Sequence, residues 1–318
     1  MNATRTRLPR FAWLTLAWNM LVILWGAFVR ATGSGAGCGA HWPLCNGEVL
    51  PRAPAVETLI EFTHRLTSGV ALLMVFALAV WVFRERTKGH PARRAAVASV
   101  VLILTEAAVG AGLVLLHLVG ENESVARALF MAVHLVNTFL LLAALSLTAQ
   151  WCGTDAPLRR DALRRDGWVF GVAFVGLLLV GVSGAIAALG DTLYPAQSLL
   201  GALAQDLSPT ASVLVRLRVL HPMLAIAGTL VVAFAGARVL RSTAEPVSRR
   251  WAWTVAALAA LQLGVGLLNV VLLAPVWMQI VHLLLAETLW IALVLLATRA
   301  LALAARVVAP DQPQDVTA

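Results

Sequence analysis

The stretch Glu61-Phe62-Thr63-His64-Arg65-Leu66-Thr67-Ser68-Gly69 places a carboxylate, an imidazole and a guanidinium at the start of a long apolar segment. In a helix, Glu61 and His64 stand three residues apart and Glu61 and Arg65 four, so all three share one face. Three further histidines, His134, His221 and His282, lie inside later apolar segments. Ionisable groups inside a membrane are costly to bury and mark function by default. Taken singly, each histidine is explained by an interhelical hydrogen bond. Four at matched depth and in repeat-related positions call for a shared role. Two imidazoles facing each other across a four-helix bundle are the way such bundles hold haem iron. Zinc is less suited, because two imidazoles without a nearby Cys, Asp or Glu leave its coordination short.

The elements that must carry these residues are membrane spans. The chain is 60% hydrophobic and only 13% charged over 318 residues, which is not a soluble composition. Runs of about twenty apolar residues, each long enough to cross a bilayer as a helix, recur eight times. They cover residues 11–30, 61–83, 95–118, 126–150, 168–189, 212–237, 251–273 and 277–298. The first is too long and too rich in Trp for a signal peptide and is read as a retained span.

The net charge of +8 follows topology. Arg5, Arg7 and Arg10 precede the first span; Arg84, Arg86, Lys88, Arg93 and Arg94 follow the second; Arg159, Arg160, Arg164 and Arg165 follow the fourth. Arg238, Arg241, Arg249 and Arg250 follow the sixth, and Arg299 and Arg306 the eighth. If every span crosses, all of these fall on one side, which the positive-inside rule makes the cytoplasm. Both termini are then cytoplasmic, the protein is a multi-pass protein of the cell membrane, and no nucleic-acid footprint remains. The four histidines all fall on even-numbered spans and form a layer towards the outer face.

The fold expected is an all-α polytopic membrane protein of eight transmembrane helices, arranged as two pseudo-symmetric four-helix bundles over residues 1–150 and 151–318. Val133-His134-Leu135 recurs as Val281-His282-Leu283, and Glu106-x-x-Val109-Gly110 as Gln262-x-x-Val265-Gly266. His64 has its counterpart in His221. Each half has an even number of spans, so the repeat is parallel. Gly110, Gly112, Gly264 and Gly266 let helices approach closely. Two outer loops are long, residues 31–60 and 190–211, and the tail from Pro310 reads as disordered. Pro222, directly after His221, cannot donate to the carbonyl of Arg218 and should kink the sixth span.

Arg30, Arg65, Arg127, Arg216 and Arg218 sit at span ends near the histidine layer, on the side that topology disfavours for cations. Arginine clamps carboxylates in bidentate fashion, so Arg216 and Arg218 are candidates for haem propionates. The competing explanation is an ion pair with a loop acid such as Glu121 or Asp206. Glu61 is not repeated in the second half, where Arg218 stands three residues before His221. It is a candidate to move protons or stabilise developing positive charge, against a plain ion pair with Arg65. Glu106 and Glu287, also inside spans, suggest no role beyond hydrogen bonding between helices. His41, His90 and His117 lie near loops and are read as non-ligands. Cys38 and Cys45 share the first outer loop, where an oxidising compartment permits a disulfide, while Cys152 faces inward and stays reduced.

The eight spans, the histidine on each even span, the loop Gly37-Cys38-Gly39-Ala40-His41-Trp42-Pro43-Leu44-Cys45-Asn46-Gly47 and the Glu61-x-x-His64-Arg65 opening together resemble haem A synthase. The resemblance covers the chain apart from its tail. It implies oxidation of one porphyrin methyl group of haem O to formyl, by successive hydroxylations and loss of water, for cytochrome oxidase. It further implies a haem B cofactor between His221 and His282, substrate haem O between His64 and His134, and Glu61 at the reacting edge. Cys38 and Cys45 match the family's loop pair, as a disulfide or in redox transfer. The partners implied are a haem O synthase, an electron donor, the bilayer and a homo-oligomer. Residues 190–211 lack the second cysteine pair that some members carry. The alternatives are a di-haem electron carrier, which has no need of Glu61, and a proton-coupled transporter, which binds no haem.

Overall fold

The protein is seen here in a computed structural model that describes residues 7–154 and 158–302. The chain ends, including the tail expected to be disordered from Pro310, lie outside the described residues. Eight helical segments are long and apolar enough to cross a membrane. Helix α1 covers Arg7–Ala31, α2 Val56–Glu85, α3 Pro91–Leu115, α4 Val125–Gly153 and α5 Arg160–Leu193. After them come short helices α6 (Leu199–Leu207) and α7 (Val213–Leu217), then α8 (Leu220–Ser242), α9 (Pro246–Val271) and α10 (Val276–Ala302). Among the described residues there is no strand, only an isolated bridge between Cys45 and Glu48.

Several helices outrun the apolar limits expected of them, because polar end residues find partners. Helix α5 starts eight residues before position 168. Its first turns are held by Asp166, which pairs with Arg165 at 2.7 Å and with Arg238 of α8 at 3.2 Å. Capping fixes other starts: the Ser124 side chain accepts from Arg127 N–H, and the His90 ring accepts from Ala92 N–H ahead of Pro91. That capping bond gives His90 a structural role.

The sixth span is interrupted, as Pro222 requires. The carbonyl of Arg218 accepts from His221 N–H at 3.2 Å in place of the bond that Pro222 lacks, and the helix resumes at Leu220. The loop before it is shorter than residues 190–211 and contains α6, an amphipathic helix that no single apolar run announces.

Helices α1 to α4 pack in ring order, α1 on α2, α2 on α3, α3 on α4 and α4 back on α1. Helices α5, α8, α9 and α10 close a second ring in the same way. The two meet where α4 packs on α5 and α10, and α1 on α10. Helix α10 serves both: Trp290, Ile291 and Val294 join the core of the first ring, Leu289, Leu293 and Leu296 that of the second. The indole of Trp290 donates to the carbonyl of Phe139 on α4 at 2.7 Å.

The packing is uneven along the helix axes. Each core lies towards the end that carries the basic connections, with Leu8, Leu78 and Leu145 fully enclosed in one and Ala173, Val232 and Leu293 in the other. Nearer the cysteine loop, every long helix has a stretch without a buried residue. These stretches fall between Val22 and Val29 in α1, Glu61 and Ala71 in α2, Ile103 and Ala111 in α3, and Ala128 and Thr138 in α4. They recur between Ala173 and Leu189 in α5, before Gly228 in α8, after Ala259 in α9, and between Met278 and Glu287 in α10. Protein interiors are normally close-packed, so one loosely packed layer crossing all eight helices is space kept for something.

Candidate functional site

All four histidines fall in this loosely packed layer, and each ring lies against a glycine on the preceding long helix. A Cβ on Gly26 would sit 2.9 Å from Cε1 of His64, one on Gly184 2.9 Å from Cε1 of His221, and one on Gly266 3.0 Å from Cε1 of His282. At Gly110 the distance to Cε1 of His134 is 4.0 Å, an ordinary contact. A side chain at Gly26 or Gly184 would force a shift, and one at Gly266 would need the His282 ring to give by a few tenths of an ångström. The sequence signal for two of them was present but unread: Gly26-Ala27 of α1 recurs as Gly184-Ala185 of α5.

The rings of His221 and His282 stand 6.3 Å apart between centroids and are nearly perpendicular at 89°. Two imidazoles bound to one metal from opposite sides, with bonds of about 2 Å, bring their ring centres to roughly 6 Å. The spacing thus suits a bis-imidazole iron. The Nδ1 atoms of His64, His134 and His282 are buried without a hydrogen bond, while His221 Nδ1 is 3.1 Å from Ser183 Oγ. Four half-buried imidazoles, the glycines behind them and the open layer between them fit two flat iron macrocycles, one in each ring of helices.

Glu61 lies one turn before His64 and is buried, with 3% exposure. Its Oε1 accepts from Arg65 Nε at 3.1 Å and from Nη2, and its Oε2 accepts from the backbone N–H of Cys38 at 2.8 Å. The ion pair weighed against a chemical role is therefore present, and it is tied to the cysteine loop. Arg65 Nη1 also donates to the carbonyls of His41 and Leu44, at 2.6 and 2.7 Å. Cys38 and Cys45 are bonded as a disulfide with Cα atoms 4.4 Å apart. Cys45-Asn46-Gly47-Glu48 closes a two-residue turn, with φ of 52° at Asn46 and 81° at Gly47 and paired backbone bonds of 3.0 and 2.9 Å. His41 serves this loop through its carbonyl, and His117, at φ 55° past the end of α3, accepts from Asn122 Nδ2.

The outer arginines already have partners within the protein. Arg218 is buried, pairs with Asp191 at 3.0 Å and Asp206 at 2.6 Å, and bonds Gln205. Its guanidinium thus pairs with the end of α5 and with α6, the acid pairing weighed against a propionate contact. Arg30 reaches from α1 to the carbonyl of Ala188, to Thr192 and to Gln279, at 2.7, 2.8 and 2.8 Å, stapling the two rings together. Arg127 supports the carbonyls of Gly120 and Asn122. Arg216 is exposed at the mouth of the second ring.

Glu106 and Gln262 take matching places, each one helical turn before the glycine that faces a histidine. Glu106 Oε1 is 3.5 Å from His134 Nδ1, and the Gln262 amide nitrogen is 3.3 Å from His282 Nε2. Glu287 is wholly buried on α10, and neither of its carboxyl oxygens has a hydrogen-bond partner.

A family model described as cytochrome oxidase assembly protein matches residues 9–294. A Thermus thermophilus protein named "Protoheme IX farnesyltransferase" is 54% identical over 296 residues, 93% of this chain and 49% of that protein. A protein named "Heme A synthase" from Alkalihalophilus pseudofirmus is 38% identical over 141 residues, 44% of this chain and 45% of its own. Another of that name, from Halalkalibacterium halodurans, is 38% identical over 153 residues, 48% of this chain and 49% of its own. The chain spans about half the length of these curated relatives.

Proposed function

The chain belongs to the cytochrome oxidase assembly protein family, and from that premise we propose that it is a haem A synthase, a membrane oxidoreductase that converts a methyl group of haem O to a formyl group. The observation that carries the reading is the loosely packed layer holding four glycine-backed histidines. In this reading residues 1–150 bind substrate haem O between His64 and His134, and residues 151–318 bind haem B between His221 and His282. Haem B supplies the redox chemistry. Arg216, exposed at the mouth, is the propionate contact that remains after Arg218 is committed elsewhere. Both oxygens of Glu61 are already hydrogen-bonded, so its role is that of a fixed anion that stabilises positive charge developing at the reacting edge. Arg65 and the disulfide loop hold it there. The site lies towards the outer face of the cell membrane, with both termini cytoplasmic.

The Thermus relatives named protoheme IX farnesyltransferase suit a haem O synthase as the partner that supplies the farnesylated substrate. A di-haem electron carrier is the second reading, favoured by the engagement of Glu61 in an ion pair. The deciding experiment is extraction and identification of the haems bound to the purified protein. Haem B with haem O, haem A or a hydroxylated intermediate is the expected result. Haem B alone gives the carrier reading, and a colourless protein expressed with ample haem overturns both.

A further inference from the structure

The four histidines differ in what stands behind or beside each ring, and a carboxylate stands at one of them. His64 Nδ1 and His282 Nδ1 have no hydrogen-bond partner, and His221 Nδ1 has the Ser183 hydroxyl; the Gln262 amide meets His282 at the other ring nitrogen, Nε2, at 3.3 Å, and also donates to the His282 carbonyl at 3.1 Å. His134 Nδ1 makes no hydrogen bond either, but Glu106 Oε1 stands 3.5 Å from it, at ion-pair distance. Glu106 is held in that place from α4. The Asn137 amide donates to its Oε2, and the Thr138 hydroxyl bonds its Oε1. Asn137 is fixed in turn, donating to the Leu102 carbonyl at 2.9 Å and accepting from Thr105 at 2.6 Å. Two adjacent side chains on α4, about one turn after His134, therefore hold the carboxylate beside the imidazole.

Glu106 stands four residues before Gly110, and Gln262 four before Gly266. One scaffold position thus carries a carboxylate in the first ring of helices and its nearly isosteric amide in the second. A carboxylate accepting the second N–H of a metal-bound imidazole fixes its orientation and raises its basicity. Its negative charge, in a medium of low dielectric, also favours the more positive oxidation state of the iron. An amide orients without adding charge.

We propose that Glu106 is a positioning residue that acts through His134, and that the Glu106/Gln262 difference gives the first site a lower reduction potential than the same scaffold gives the second. The inference rests on the haem reading above. Its test is redox titration of the bound haems in the purified, haem-loaded full chain, followed by absorption spectra. The His134→Ala variant identifies the component that belongs to the first site. Glu106→Gln should shift the ferric-to-ferrous balance of that component about tenfold towards ferrous, an upward move of about 59 mV for one electron. The second component should stay in place. Gln262→Glu should move the second component in the opposite sense. Two bound haems with unmoved potentials in Glu106→Gln overturn the inference and leave the haem reading intact. A wild-type chain with haem in the second site alone overturns the inference, and a colourless one overturns both. If Glu106→Gln does not fold, Gln262→Glu decides alone: a lowered potential supports the inference and an unmoved one overturns it.

Discussion

The first and second rings of helices use one device twice and surround it differently. In the second, both histidines lie close against glycines, where a Cβ would stand 2.9 and 3.0 Å from the ring, and the groups at the rings are neutral, Ser183 and Gln262. In the first, His64 is pressed in the same way, yet His134 has 4.0 Å of clearance at Gly110. The carboxylates of Glu61 and Glu106 also stand near that pair. A tight, neutral clamp suits a resident group. A looser site with fixed anions suits a ligand that enters, reacts and leaves. The difference supports the proposed division into a substrate half and a cofactor half.

The comparison breaks most visibly if the halves do not act independently. His221→Ala should remove about one of two bound haems and leave the other, and His64→Ala should remove the other. Pigment analysis of both purified variants checks this, and loss of all haem from either one would mean a single coupled site. Next in size is Glu61→Gln. It keeps the hydrogen bond to Cys38 while removing the charge, so haem content should hold and product formation should fall about 10²–10³-fold. Equal turnover in wild type and variant would make Glu61 a strut for the cysteine loop alone.

Much of this architecture was legible in the sequence because membranes restrict the choices. Eight apolar runs could only be helices, and histidines inside them stood out against their surroundings. Helix ends were less legible, because Asp166 with Arg165 and Arg238 extends α5 through charged residues that an apolar window excludes. The fate of Arg218 was not legible from spacing. Asp191, Asp206 and Gln205 lie 12 to 27 residues away in sequence and converge on it only because α6 folds back over the mouth. The kink was readable since Pro222 acts on its own helix. The glycines at 26 and 184 were not singled out, because a close approach is a property of two helices.

A sharper form of the comparison lies in the paired glycines. Gly266→Ala should drive a methyl group into the His282 ring and weaken haem retention in the second site about 10- to 100-fold, on the scale of losing an orienting contact. Gly110→Ala should leave the first site close to unchanged, because its added Cβ lands at ordinary contact distance. Haem dissociation rates, measured by transfer to an excess of a haem-scavenging protein, separate the two. Equal losses in both variants would remove the argument that the first site is the looser one.

The smallest effect expected is that of Ser183→Ala. The hydroxyl lies 3.1 Å from His221 Nδ1 and also donates to the Val180 carbonyl at 2.9 Å, so its loss frees one ring nitrogen and costs one neutral hydrogen bond. Such a bond is worth about 1 kcal/mol, or roughly fivefold in haem affinity. The change carries no charge, so the reduction potential of the second site should move far less than under Gln262→Glu. If Ser183→Ala shifts the potential as much as the charged substitution does, orientation of the ring, and not the charge behind it, sets the difference between the two halves. Glu106 would then matter for where it points His134 and not for the charge it brings.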